Sequence, residues 1–263
     1  MKFLIQRVKN EIVYDFAFEL IRAKEFYDWL GEGEFEIEYA YDLLWPKECG
    51  GLGGESDFRN WVPVGSVEFV SRYLLHHAPQ QEHMLYPLNV PPCLFKYSGR
   101  LISNVVDPND MIKFDLEYLK KGSTKVFKKS MYKIKSKENG IFDYDCSFEK
   151  FQGFQISEYL DDIDSEWRVF VFKHQALHLS NYSGSSLIFP NPDTILEIIE
   201  EYKKSREAPI AYTLDLGVRE DKTFVIECHR FFSCGLYGFS DYARYPKMLS
   251  QTWREMCYTK EIK

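Results

Sequence analysis

The stretch YTLDLGVREDKTFVIECHR, Tyr212 to Arg230, has the form of a β-hairpin, with one strand over Ala211 to Val218 and the next over Thr223 to Cys228. Side chains on a strand alternate between faces, so Glu227 and His229 share one face. If Glu220, Asp221 and Lys222 form a three-residue loop, Arg219 pairs with Thr223 and Asp215 lies opposite Glu227. Two opposed carboxylates repel each other unless a cation lies between them. Magnesium, a hard ion that takes one or two carboxylates together with substrate phosphates, is the natural one. A two-residue turn shifts the pairing by one and sends the acids to opposite faces, so the register tests the metal reading.

Upstream, SEWRVFVF (Ser165 to Phe172) alternates as a strand, with Glu166, Arg168 and Phe170 on one face and Trp167, Val169 and Val171 on the other. Glu166 and Arg168 can pair with each other. They can equally serve a ligand, the acid accepting hydroxyl hydrogens of a ribose and the guanidinium holding phosphate or carboxylate oxygens by its planar fork. Further upstream, VFKKSMYKIK (Val126 to Lys135) places Lys128 and Lys135 on what read as two successive strands joined by a short turn. Two ammonium groups so placed straddle a triphosphate. Lys129 and Lys133 compete for the same role, and any of these lysines can be a solvated surface side chain.

Around these segments the chain mixes strands and helices, an α+β pattern. Lys2 to Gln6 reads as a strand, Val13, Phe16, Leu20, Ala23, Tyr27 and Leu30 as one helix face stopped by Gly31, and Phe35 to Ala40 as a second strand. Trp61 to Leu75 reads as a strand leading into a helix. The clearest helix is Asp193 to Lys204, with Asn191 as cap and Pro192 in the first turn. Leu177 to Tyr182 completes a hairpin with Glu166 to Lys173. The glycine run Gly50 to Gly54 lacks the GK[ST] of a phosphate loop and reads as a surface loop. A first lobe is expected to span residues 1–107 and a second 108–263.

The 263 residues are 45% apolar, with 21 Phe and 18 Tyr, enough for large buried faces. The net charge of -7 disfavours nucleic acid as the main partner, although lysines crowd the middle segment. Six scattered cysteines form no CxxC pair, which argues against a disulfide framework and a zinc ribbon. Adjacent Cys228 and His229 point opposite ways, and His174 and His178 fall in a hairpin, so neither set gathers a zinc ion. With no long uncharged apolar run and too short an apolar start for a signal peptide, the expected location is the cytoplasm, that of the host if the chain is phage-encoded, with no membrane partner.

The three constellations in this order resemble the ATP-grasp superfamily, and more narrowly the clade common in bacteria and their phages that is named for one arginine and two lysines. NWVPVGSVEFVSRYL (Asn60 to Leu74) and PLNVPP (Pro87 to Pro92) look like that clade's N-terminal lobe, and Val126 to Phe239 carries the nucleotide motifs. The resemblance implies an ATP-grasp fold, two lobes clasping a nucleotide, with an N-terminal α/β pre-ATP-grasp lobe. It implies that Lys128 and Lys135 contact ATP phosphates and that Glu158 lies at the adenine-side hinge. Glu166 and Arg168 become the acid and arginine of an EWR motif, with Arg168 and Lys128 in catalysis. Asp215 and Glu227 become magnesium ligands, with His229 where the superfamily usually has asparagine. After Lys135, SKENG replaces the usual aromatic and small residues, leaving Gly140 as the phosphate-covering glycine.

The implied activity is ATP-dependent ligation of a carboxylate to an amine or other nucleophile, peptides and proteins included, through an acyl phosphate with release of ADP. Phosphoryl transfer needs charge neutralisation and alignment more than a dedicated nucleophile, which suits these residues. Two rivals remain at this stage. KENG, Lys137 to Gly140, matches the K-x-[DN]-G pattern of nucleotidyltransferases and nucleic-acid ligases that form a lysyl-AMP on the lysine. The other rival is a non-catalytic nucleotide-binding module.

Overall fold

The computed structural model describes residues 1–41, 44–51, 57–118 and 124–258. Gly53 and Gly54 of the glycine run, and Lys120 and Lys121 of the lysine-rich middle segment, lie outside the described residues. The chain forms two compact units, one of Met1–Met84, Pro209–Ala211 and the segment from Arg230 onward, the other of Leu85–Ala208 and Tyr212–His229. The expected boundary at residue 107 falls inside the second unit. The reason is local: Asn89 forms a β-bridge to Cys228, and the Gln155 side chain bonds both backbone groups of Val90 at 3.0 and 2.9 Å. The proline-rich connector is thereby stitched into the second unit.

The first unit is built on three parallel strands in the order β2-β1-β3: β1 (Lys2–Arg7), β2 (Glu36–Tyr41) and β3 (Trp61–Val64). Helix α1 (Asp15–Leu30) buries Phe16, Ala17, Leu20, Ala23 and Tyr27, the spacing of a single helix face. Gly31 ends it in the left-handed region at φ 68, where a side chain would cost energy. Val13 precedes the helix and Leu30 is largely exposed, so the apolar face is shorter than its periodicity predicts. Helix α2 (Val67–His77) is capped by Ser66, whose Oγ accepts from the Phe69 N–H at 3.1 Å.

In the second unit β4 (Ile102–Asn104), β5 (Lys125–Ser130), β6 (Gly140–Asp143) and β7 (Phe154–Glu158) pair antiparallel in the order β4-β7-β5-β6. One face carries Val126 and Ile156 against Met111, Phe114 and Tyr118 of α3 (Pro108–Tyr118) and Phe151 of the short α4 (Phe148–Phe151). A second sheet joins β8 (Ser165–Phe172), β9 (Gln175–Gly184), β10 (Ala211–Arg219) and β11 (Lys222–Arg230) in the order β11-β10-β8-β9. Its core face packs Val169, Val171, Leu214 and Leu216 on Ile195, Ile198 and Ile199 of α5 (Pro192–Ser205). Asn191 caps α5 as expected, accepting from the Thr194 N–H at 2.9 Å. A last helix, α6 (Tyr245–Tyr258), belongs to the first unit, where its Tyr245 hydroxyl donates to the Phe16 carbonyl at 2.6 Å.

Candidate functional site

The β10–β11 hairpin is where the site begins. Its loop has two residues, not three: β10 ends at Arg219, β11 starts at Lys222, and Glu220 and Asp221 both adopt left-handed φ values of 48 and 60. That is the turn whose twist suits a tight hairpin. Phe224 accordingly covers Gly217, whose missing Cβ would sit 2.4 Å from the Phe224 ring. Continued regularly, this register would put Asp215 and Glu227 on opposite faces.

It does not continue regularly. Val225 and Cys228, three residues apart, both lie in the apolar core with Leu214 and Leu216. Side chains three apart cannot share a face of a regular strand, so β11 accommodates an extra residue between them, as a β-bulge does. Arg100 occupies the irregularity and donates to the consecutive carbonyls of Val225 and Ile226 at 3.2 and 3.1 Å. The bulge returns Glu227 and His229 to the face of Asp215. One ligand atom from each of Asp215, Glu227 and His229 then lies within 4.8 Å of the others.

Each acid already has partners from the chain. Arg168 grips Asp215 through Nε to Oδ1 at 2.8 Å and through its terminal nitrogen to Oδ2 at 2.7 Å. Both side chains are buried, 9% and 2% exposed. His229 Nε2 lies 2.7 Å from Glu227 Oε1, and Lys129 Nζ pairs with Glu227 Oε2. Burial pushes the His229 pKa down to about 4, with the Asp215 charge opposing, so the ring is neutral at pH 7 and able to ligate. Burial likewise pushes Lys129 down to about 8, against the Asp215 charge. Two carboxylates and a neutral imidazole fit a divalent cation. The hard oxygens suit magnesium, and the imidazole widens the set toward softer ions.

Beside this cluster lies a cavity of about 400 Å³ lined by Lys129 and Phe127 of β5, Ser157 and Glu158 of β7, Glu166 of β8, Ile226 of β11 and Arg100. A cavity of this size suits a nucleotide-sized ligand, and its walls mix apolar side chains with charged ones. Burial lowers the Arg100 pKa to about 10, with Glu158 opposing, so the guanidinium stays charged at neutral pH. Tyr182 donates to Glu166 Oε2 at 2.8 Å, fixing the acid at the cavity wall. Glu166 and Arg168 share a strand face as expected, but each is held by a cross-strand partner rather than by the other.

Two expected residues are placed differently. Lys128 lies on the opposite face of β5 from the cavity, its Nζ 4.1 Å from the Phe154 ring centre and 4.6 Å from that of Phe142. Alternation dictates this: Val126 enters the aromatic core, so Lys128 follows it and Lys129 turns to the cavity with Phe127. Lys135 is not on a strand. It sits exposed in the loop between β5 and β6 at φ 54, and Lys137 is exposed in the same loop. Arg100 was not anticipated at all, since nothing in SGRL marks it.

The sequence model of the ATP-grasp domain, R2K clade family 2, matches residues 112–248, more than half the chain. A D-cycloserine synthetase structure superposes with a TM-score of 0.50 at 11% identity, covering 96% of this chain and 100% of that one. D-alanine–D-alanine ligase from Bacillus anthracis superposes with a TM-score of 0.50 at 12% identity, covering 97% and 98%. At such identities the likeness speaks for the fold. No functionally curated protein matches the sequence. Among the described residues no helix is long and apolar enough to cross a membrane. By its matching domain and its ATP-grasp fold, the chain belongs to family 2 of the R2K clade of ATP-grasp proteins.

Proposed function

We propose that the chain is an ATP-dependent, ADP-forming ligase that joins a carboxylate to an amine or another nucleophile through an acyl phosphate. One observation carries the reading: a nucleotide-sized cavity with Lys129, Arg100 and Glu158 in its wall adjoins, through Lys129, the acid cluster of Asp215 and Glu227. Glu158 takes the adenine side and Glu166 the ribose hydroxyls. Lys129, in place of Lys128, faces the phosphates, and Lys135 reaches them from the β5–β6 loop. Asp215 and Glu227, with His229, would hold magnesium, which supplies charge neutralisation at the β- and γ-phosphates. Arg168 acts through Asp215, fixing the orientation of that carboxylate.

In the reaction a substrate carboxylate oxygen bonds to the γ-phosphorus as the bond to the β,γ-bridging oxygen breaks, and ADP carries away the electron pair. The nucleophile then attacks the acyl carbon, the acyl carbon–oxygen bond breaks, inorganic phosphate leaves with the electrons of that bond, and the nucleophile loses a proton. Lys129 and Arg100 offset the charge that builds on the phosphates. The acceptor is an amine or other nucleophile, peptides included, and the cytoplasm is the proposed setting.

Hydroxylamine intercepts acyl phosphates as hydroxamates. The purified protein is incubated with ATP, magnesium, hydroxylamine and a panel of amino acids, peptides and simple carboxylic acids. Acid-dependent hydroxamate with ADP in equal amount is the expected result. AMP and pyrophosphate with labelled nucleotide retained on the denatured protein would overturn it in favour of lysyl-AMP chemistry at Lys137, and ATP binding without turnover would leave a binding module.

A further inference from the structure

All four carboxylate oxygens of the acid pair are engaged by the chain's own donors. Asp215 gives both to Arg168, and Glu227 gives one to His229 and one to Lys129. A divalent cation brought onto these oxygens is repelled by the positive charge already resident on them, so its binding is favoured when one resident group gives way. The three candidates differ physically. The Arg168 fork makes two bonds to Asp215 and is buried with it, so opening that pair leaves both charges stranded. His229 is short, is fixed on the same strand as Glu227, and offers the ion a ligand itself. Lys129 has a flexible stem, makes a single-point contact, and borders the cavity. Its side chain is 23% exposed, against 9% for Arg168.

We propose that Lys129 is an exchangeable counter-ion of the Asp215–Glu227 pair: it neutralises Glu227 when no metal is bound, a divalent cation displaces it, and the released ammonium moves into the cavity, where polyphosphate is its new partner. The exchange deepens the ligase reading and rests on it for the identity of that polyphosphate. It makes the free ion a poor ligand, because each binding event must break the Lys129 contact and leave an ammonium unpaired in a partly dry cavity. A metal–nucleotide complex meets no such penalty. The two then bind with positive coupling, which linkage requires to be equal in both directions.

Manganese serves as the probe because its free aquo ion is counted directly by electron paramagnetic resonance. Titrated without nucleotide, Lys129→Met should bind manganese about tenfold or more tighter than wild type, and Lys129→Arg should remain within about threefold of wild type. Equal affinity of wild type and Lys129→Met overturns the exchange. A second measurement needs no variant. Acetylation of Lys129 with a limiting reagent, read by mass spectrometry on wild type, should speed up when manganese alone is added and slow again when a non-hydrolysable ATP analogue follows. Unchanged Lys129 reactivity on adding saturating manganese overturns the exchange even if the variant does not fold. Release by manganese without re-protection by the analogue upholds the exchange and counts instead against the nucleotide reading.

Discussion

Replacing Arg168 by methionine should destabilise the second unit by about 3 kcal/mol, and replacing Asp215 by leucine as well should recover most of that loss. The side chains meet through two bonds of 2.8 and 2.7 Å and are 9% and 2% exposed. Removing one member of such a pair leaves a buried carboxylate uncompensated, which costs about 3–5 kcal/mol, whereas replacing both by apolar groups is often near neutral. The lower end applies because the Lys129 charge also acts on Asp215. With a urea dependence of roughly 2–3 kcal/mol per molar, the single substitution should move the midpoint down by about 1–1.5 M. The two units call for separate probes. Trp167 is the one tryptophan in the second unit, while Trp29, Trp45, Trp61 and Trp253 lie in the first. With 5-fluorotryptophan in the chain and EDTA present, the Trp167 fluorine resonance reports the second unit alone. A shift below about 0.3 M in the single variant, or a double variant as unstable as the two single losses combined, would refute the account of the pair as a buried, mutually dependent contact.

Lys128→Met should leave affinity for an ATP analogue within about threefold, since the ammonium lies over Phe154 and Phe142, and should lower stability by up to about 2 kcal/mol; a large loss of affinity in a folded Lys128 variant would place it in the cavity after all. Gly217→Ala forces a methyl to within 2.4 Å of the Phe224 ring, so a thermal-melting loss of about 1–3 kcal/mol is expected, and Phe224→Leu in the same chain should relieve part of it. His77 carries the pH dependence of the first unit: burial lowers its pKa from 6.5 to about 4, with His76 adding to the shift. Between those values the unfolded chain holds the extra proton, so stability falls as pH drops below 6.5 and the loss is complete near pH 4, by about 1–2 kcal/mol after allowance for partial solvation. His77→Phe should flatten that decline in the resonances of the first-unit tryptophans.

The fold was legible where periodicity is local. Ile195, Ile198, Ile199 and Tyr202 lie on one face of α5 and are buried, and Asn191 caps the helix, because propensity, cap and amphipathic face all agree there. The choice among lysines was not legible, and β5 explains why. Val126 with Lys128 on one face and Phe127 with Lys129 on the other give the strand two nearly equivalent apolar-plus-cationic faces. Which one turns inward depends on α3 and α4, whose Phe114, Tyr118 and Phe151 take Val126. Nothing within VFKKS carries that information.

The acid cluster makes the same point more sharply, because two departures from regular pairing cancel. The two-residue turn alone separates Asp215 from Glu227, and the bulge alone would separate them under the three-residue turn. Together they bring the acids to one face. The turn is chosen locally, by Glu220 and Asp221 taking left-handed φ. The bulge depends on a distant residue, since Arg100 satisfies the consecutive carbonyls of Val225 and Ile226 that a continuous ladder would direct to opposite sides. Arg100 therefore has two duties, a wall of the cavity and a clamp on the strand that carries Glu227. Arg100→Met should lose both together: analogue affinity should fall, and amide exchange should quicken over Val225 to Glu227 before it does over β8. Weakened binding with unchanged protection across that strand would show that the bulge stands without its clamp and that Arg100 serves the ligand alone.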